Sequence, residues 1–174
     1  LYAEINGRSI SQAEIPNDQY FGDQWNLHNT GQSGGVSDAD IDAPEAWEIS
    51  TGSSNTTIGI IDNGVRDDHE DLSGKVTGDA TYSDHGTHVA GIAAAKSDNA
   101  NGVAGVNWKS QLINQIYGDD QQTANAITNA VNSGSDIINN SYIHCKEGTC
   151  NDPVPEPRYS TTVRLAFANA YKMN

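Results

Sequence analysis

Apolar residues gather in short bursts, and their spacing predicts the elements. Residues 56–62 (TTIGIID) are a β-branched apolar run ending in Asp62-Asn63-Gly64, a strand with a turn signal behind it. Residues 110–118 (SQLINQIYG) and 135–142 (SDIINNSY) predict a second and a third strand. Between these two, residues 121–134 set Ala124, Ile127, Ala130 and Val131 on one helical face closed by Gly134. Residues 85–97 (HGTHVAGIAAAKS) predict a helix whose glycines and alanines let a neighbouring backbone approach closely. Residues 42–50 predict a short helix, with Pro44 in its first turn and Asp42 as its cap. Residues 160–174 predict a last helix, and residues 1–40, rich in Asn, Gln, Gly and Asp, read as an irregular arm. Strand alternating with helix is the pattern of an α/β fold with a parallel sheet flanked by helices. Sites in such folds lie at the carboxyl ends of strands, where Asp62 closes the first and Ser141 the third.

Composition narrows the picture. The 174 residues make one domain's worth of chain, or a piece of a larger one. A net charge of −14 disfavours nucleic acid and anionic membranes as partners and favours cation binding. No apolar run approaches the ~20 residues that span a bilayer. Leu1 is not a start methionine, and the first residues show no basic stretch followed by an apolar one, so a processed or partial chain is expected. The two cysteines, Cys145 and Cys150, are spaced for a disulfide that would suit an oxidising, extracellular compartment, two free thiols being the alternative. Asn55-Thr56-Thr57 is a glycosylation sequon in a surface turn.

The chemistry-bearing groups are Asp62, His85 and Ser141. A carboxylate at a strand end can orient an imidazole, and an imidazole so held can take a proton from a hydroxyl. The helix start at His85 disfavours its charged form, whereas Asp62 favours it. His85 and His88 with Asp62 also permit a metal reading. The other reading of His88 is a buried, hydrogen-bonded histidine, and His69 and Glu70 read as structural or solvated.

Four ordered motifs, IGIIDNGVRDDHEDL (58–72), HGTHVAGIAAA (85–95), NGVAGV (101–106) and IINNSY (137–142), resemble the subtilisin-like serine proteases. Residues 16–47 resemble the start of the mature enzymes, and residues 1–15 resemble a propeptide junction, which divides the chain into 1–15 and a partial catalytic domain, 16–174. The resemblance implies a subtilisin-like fold present as its N-terminal half. It implies Asp62 and His85 as two members of an Asp-His-Ser triad, with His88 packed behind the site. It implies Ser141 beside the substrate rather than as nucleophile. Tyr142, Ile143 and His144 stand where the family usually has glycines lining the cleft, and the segment from Leu72 to His85 is short, leaving less cover near the histidine.

The family's Gly-Thr-Ser nucleophile motif and its oxyanion asparagine are not found in this sequence; Gly148-Thr149 is followed by Cys150, too early in the chain to serve. The 174-residue chain alone is therefore expected to be inactive. The first expectation is a secreted serine endopeptidase acting on peptides or proteins when completed by the missing half. The alternative is a noncatalytic structural or assembly protein, an oligomer or filament subunit, and a third is a calcium-stabilised binding module. A halved parallel sheet exposes an edge, so self-association or a complementary chain is expected. By the same resemblance, residues 93–105 are a calcium loop. Its Ca2+ ligands are the side chains of Asp18, Asp71, Asn99 and Asn101 and the carbonyls of Lys96 and Val103, a solvated Asn-rich turn being the alternative.

Overall fold

The computed structural model describes residues 14–142 and 160–173. The expected Cys145–Cys150 disulfide lies outside them. The part of the arm that is described does more than wander. A 3₁₀ turn at Phe21–Asp23 buries Phe21, which packs with Leu27, Ala43, Trp47 and Ala104 into a satellite core. Helix α1 (Ala43–Trp47) carries Pro44 in its first turn as expected. Asp42 does not cap it: its backbone is left-handed (φ 53°) and its side chain accepts no cap hydrogen bond. Trp47 anchors the segment instead, donating from Nε1 to the Val106 carbonyl at 2.9 Å and meeting the Trp108 ring edge-on at 5.0 Å.

Four strands, β1 (Thr57–Asp62), β2 (Val76–Gly78), β3 (Gln111–Ile116) and β4 (Ile137–Asn140), form one parallel sheet in the order β2-β3-β1-β4. β1 is central and covered on both faces, which explains its near-continuous apolar run. Helix α2 (Asp84–Ala94) covers one face, where Ile58, Ile60 and Leu112 pack against Ala90 and Ala94. Helices α3 (Asp120–Asn132) and α4 (Thr161–Met173) cover the other, with Ile127 and Val163 against Ile61. The sheet is thus the α/β layer that the alternation predicts.

The differences from expectation are local. β2 has three residues and no apolar pattern of its own; pairing with β3 defines it. The third expected strand pairs only over Ile137–Asn140, so Ser141 sits one residue past it. α2 stops at Ala94 because Ala95 turns extended (ψ 152°). α3 begins in a capping box between Asp119 and Gln122 and ends at Gly134, whose φ of 91° takes the left-handed exit that a side chain would disfavour. Among the described residues β4 pairs with β1 alone, and Ile137 is 55% exposed.

Candidate active site

Asp62 is the last residue of β1, fully buried, and its carbonyl accepts from the Tyr117 amide, which ties the ends of β1 and β3 together. His85 is the second residue of α2. The helix starts there because Ser83, in extended conformation, caps it: its Oγ accepts from the Gly86 amide at 3.1 Å. The same hydroxyl donates to the Gly64 carbonyl at 3.3 Å, fixing the helix end to the turn after Asp62. Gly86 is required by space. A Cβ there would overlap the Gly64 carbonyl oxygen and crowd Asp62 Oδ1. The stretch of small residues therefore seats the start of α2 directly on the end of β1.

That seating brings His85 Nδ1 to 2.7 Å from Asp62 Oδ1. The same oxygen accepts from the Asn63 amide at 2.7 Å. A carboxylate only accepts, so Nδ1 of His85 carries the proton and Nε2 of the neutral ring is left as an acceptor. The His85 side chain is 57% exposed, so Nε2 is open to an incoming proton donor, in keeping with the short segment before it. A buried carboxylate holding one tautomer of an accessible imidazole is the arrangement that general-base chemistry needs.

The remaining expected residues are distributed as follows. Ser141, half-buried beyond β4, accepts from Asn139 Nδ2 at 2.8 Å. His88 is exposed, not packed behind the site and not buried. Three residues past His85, it lies on the same solvent-facing stripe of α2, which Ile92 continues. Among the described residues no three His, Cys, Asp or Glu side chains converge, so the metal reading of His85, His88 and Asp62 falls. His69 serves structure, its Nδ1 accepting from the Asp71 amide at 3.2 Å.

The six expected calcium ligands fall into one hydrogen-bonded region, which Asp18 joins through the Asp98 amide. Asp71, buried, accepts from Asn99 Nδ2 at 3.0 Å and from the Val103 amide at 2.8 Å, while its carbonyl takes the Lys96 amide. Asp18, also buried, accepts from the Asp98 amide at 2.7 Å, and Asn99 Oδ1 takes the Asn101 amide. Burial above all pushes the Asp18 carboxyl up, and the charge of Asp71 adds to that, against the pull of the Asp98 amide. The other Asp18 oxygen, Oδ1, is buried without a protein partner, and the Gly102 backbone lies so close to Asp71 that a Cβ there would overlap its carboxylate.

Two residues that the sequence reading missed support this region. Lys75 is 7% exposed and donates to the carbonyls of Ala94 (2.6 Å) and Trp108 (2.9 Å), closing the carboxyl end of α2. Burial, then the charge of Lys96, lowers its ammonium to about 8, against the opposing charge of Asp71. Asn114 sits fully buried in β3. A polar residue inside an apolar strand was the available signal for it.

Comparison with known proteins agrees with the fold. The profile of the Subtilase family matches residues 53–164. Thermitase from Thermoactinomyces vulgaris is 40% identical over 114 residues, 56% of this chain and 40% of that protein. The cell wall-associated protease of Bacillus subtilis is 35% identical over 145 residues, 72% of this chain and 16% of that protein. A protease from Pseudoalteromonas arctica superposes with a TM-score of 0.70 over 92% of this chain and 57% of its own. Its 24% identity makes that a likeness of fold alone. The chain spans less than half the length of these two curated relatives. On the family match and the shared fold together, this chain belongs to the subtilase family of subtilisin-like serine proteases.

Proposed function

We propose that this chain carries the acid–base half of a serine endopeptidase site. Asp62 holds His85 in its Nδ1–H form, and Nε2 takes the proton of a nucleophilic serine supplied from beyond these residues. The observation that carries this reading is the 2.7 Å bond between a buried carboxylate and an accessible imidazole at adjoining strand and helix ends. Its substrates are peptide bonds of extracellular proteins. Export is supported by the likeness to a cell wall-associated protease. Ser141 sits beside the substrate at the end of β4, and the open edge of β4 takes the next strand of the completed sheet.

Calcium belongs to the same proposal. Two buried carboxylates, one oxygen without a partner, and amide and carbonyl oxygens from residues 96–103 suit a hard cation. Asp18, Asp71, Asn99 and Asn101 would hold it with the carbonyls of Lys96 and Val103. Bound calcium would join the arm at Asp18 to the loop after α2, neutralising two carboxylates that repel each other.

The test is peptide hydrolysis by the natural protein that contains this segment. His85→Ala should lower kcat about a millionfold and Asp62→Asn by roughly 10⁴-fold, the sizes found for the corresponding groups of subtilisin. The purified 174-residue chain should show no turnover. Wild-type rates in the His85→Ala protein would overturn the catalytic reading. A natural protein without hydrolase activity that assembles through the β4 edge would favour the noncatalytic assembly reading instead.

A further inference from the structure

The sheet order sets a problem for the chain that delivers His85. β2 lies outside β3, whereas Asp62 ends β1 on the other side of β3. Only residues 79–83 separate the end of β2 at Gly78 from the start of α2 at Asp84. In those five residues the chain must cross the carboxyl end of β3, roughly two strand spacings of about 4.8 Å each. The crossing is tight. Gly78 adopts φ 103°, and a Cβ on it would strike the backbone of Asn114 in β3.

Asn114 holds the crossing from below. Its Nδ2 donates to the Asp79 carbonyl at 2.8 Å and to the Thr81 carbonyl at 2.9 Å. Both acceptors are carbonyls, so the orientation of the amide follows from chemistry. The Thr81 carbonyl also takes the amide of Val65, which stands just after the Asp62-Asn63-Gly64 turn. Asp79 adds two bonds to β3, accepting from the Ile116 amide and donating to the Asn114 carbonyl. The next residues are Tyr82, the helix cap Ser83, Asp84 and His85.

The position is otherwise suited to an apolar side chain. Leu112, two residues earlier on the same face, belongs to the core under α2. Asn114 instead brings an amide whose Oδ1 has no protein partner, which is costly for a buried acceptor. A buried polar group retained at such a cost points to what its donors hold.

We propose that Asn114 is a positioning residue for the Asp62–His85 pair: its amide fixes the carbonyls of Asp79 and Thr81, and so sets where α2 begins and where His85 meets Asp62. This rests on reading that pair as a working unit. The measurement below follows their hydrogen bond directly and needs no catalysis, so it can fail while the catalytic reading stands.

The test is nuclear magnetic resonance on the natural protein that contains this segment. The ¹⁵N shifts of His85 report its tautomer, and the Nδ1 proton reports the bond to Asp62. Asn114→Leu keeps the bulk and removes both donors. It should move His85 toward a mixture of tautomers and speed exchange of its Nδ1 proton on the order of tenfold, the size expected for losing two hydrogen bonds that hold the segment. Ile127→Val, in the core on the opposite face of the sheet, is the control for general destabilisation and should leave the His85 signals unchanged. Unchanged His85 signals in a folded Asn114→Leu chain would overturn the proposal, as would an equal change in the control. If Asn114→Leu does not fold, the unmodified chain decides. As denaturant is added, the Asn114 side-chain amide and the His85 Nδ1 proton should lose protection in one opening event. Loss of the His85 proton while the Asn114 amide stays protected overturns it.

Discussion

Lys75 shows how a single side chain can make the core sensitive to pH. Its ammonium is buried against the carbonyls that end α2 and precede β3, and among the described residues no carboxylate is hydrogen-bonded to it. Burial lowers it from 10.5 to about 8. In the folded chain the proton is therefore held less tightly than in the unfolded one. Between about 8 and 10.5 the unfolded chain binds more protons, so stability contributed by this residue rises with pH and fades as pH falls through 8. Comparison with Lys75→Met isolates the effect, since other titrating groups cancel. The unfolding free energy of the wild type, relative to the variant, should climb from pH 8 to 10.5 in chemical denaturation. A flat difference would mean that the two carbonyls hold the charge as well as water does. The pairing of Asp62 with His85 was readable because a carboxylate at a strand end and an imidazole at a helix start suit each other. Lys75 and Asn114 were missed because their partners are backbone carbonyls far away in the sequence, which no local pattern encodes.

At the scale of elements, patterns were readable where packing on one or two faces imposed them. β1, α3 and α4 are set by apolar spacing, and each formed within a few residues of its expected bounds. β2 was not readable, because three residues of mixed polarity form a strand only by pairing with β3. His88 went wrong for a related reason. A histidine next to a site was expected to be buried, whereas its three-residue spacing from His85 puts it on the exposed stripe of α2. The loop after α2 yields an element-scale prediction. Asp18 and Asp71 lie close enough for the charge of one to raise the other, and bound calcium would replace that repulsion with attraction. Calcium at about a hundredfold above its dissociation constant should add about 2.7 kcal/mol to stability. The thermal midpoint should rise with calcium and fall with EDTA, and Asp18→Asn should abolish the difference. Identical melts of the wild type in both would remove calcium from the account.

The whole molecule carries a charge of −14, and its carboxylates are unevenly spread. Asp38, Asp40, Asp42 and Glu45 crowd the segment entering α1. The Asp42 carboxyl is pushed up by desolvation, then by the charges of Asp38, Asp40 and Glu45. Such repulsion works against the compact state at neutral pH, since unfolding separates the charges. The family match speaks to the fold and not to this balance, which belongs to the chain's own surface. Simple salt should therefore stabilise it. The screening length shrinks from about 30 Å at 0.01 M to about 10 Å at 0.1 M and about 3 Å at 1 M, so most of the gain should come by a few tenths molar. Melting in EDTA removes any contribution that bound calcium would make, and choline chloride set against sodium chloride separates screening from binding of a particular cation. Equal upward shifts in both salts are expected. A midpoint insensitive to both would mean that caps and backbone amides already neutralise the carboxylates locally, as the amides of Asn29 and Asp42 do for Asp40. A shift in sodium alone would point to ion binding in place of screening.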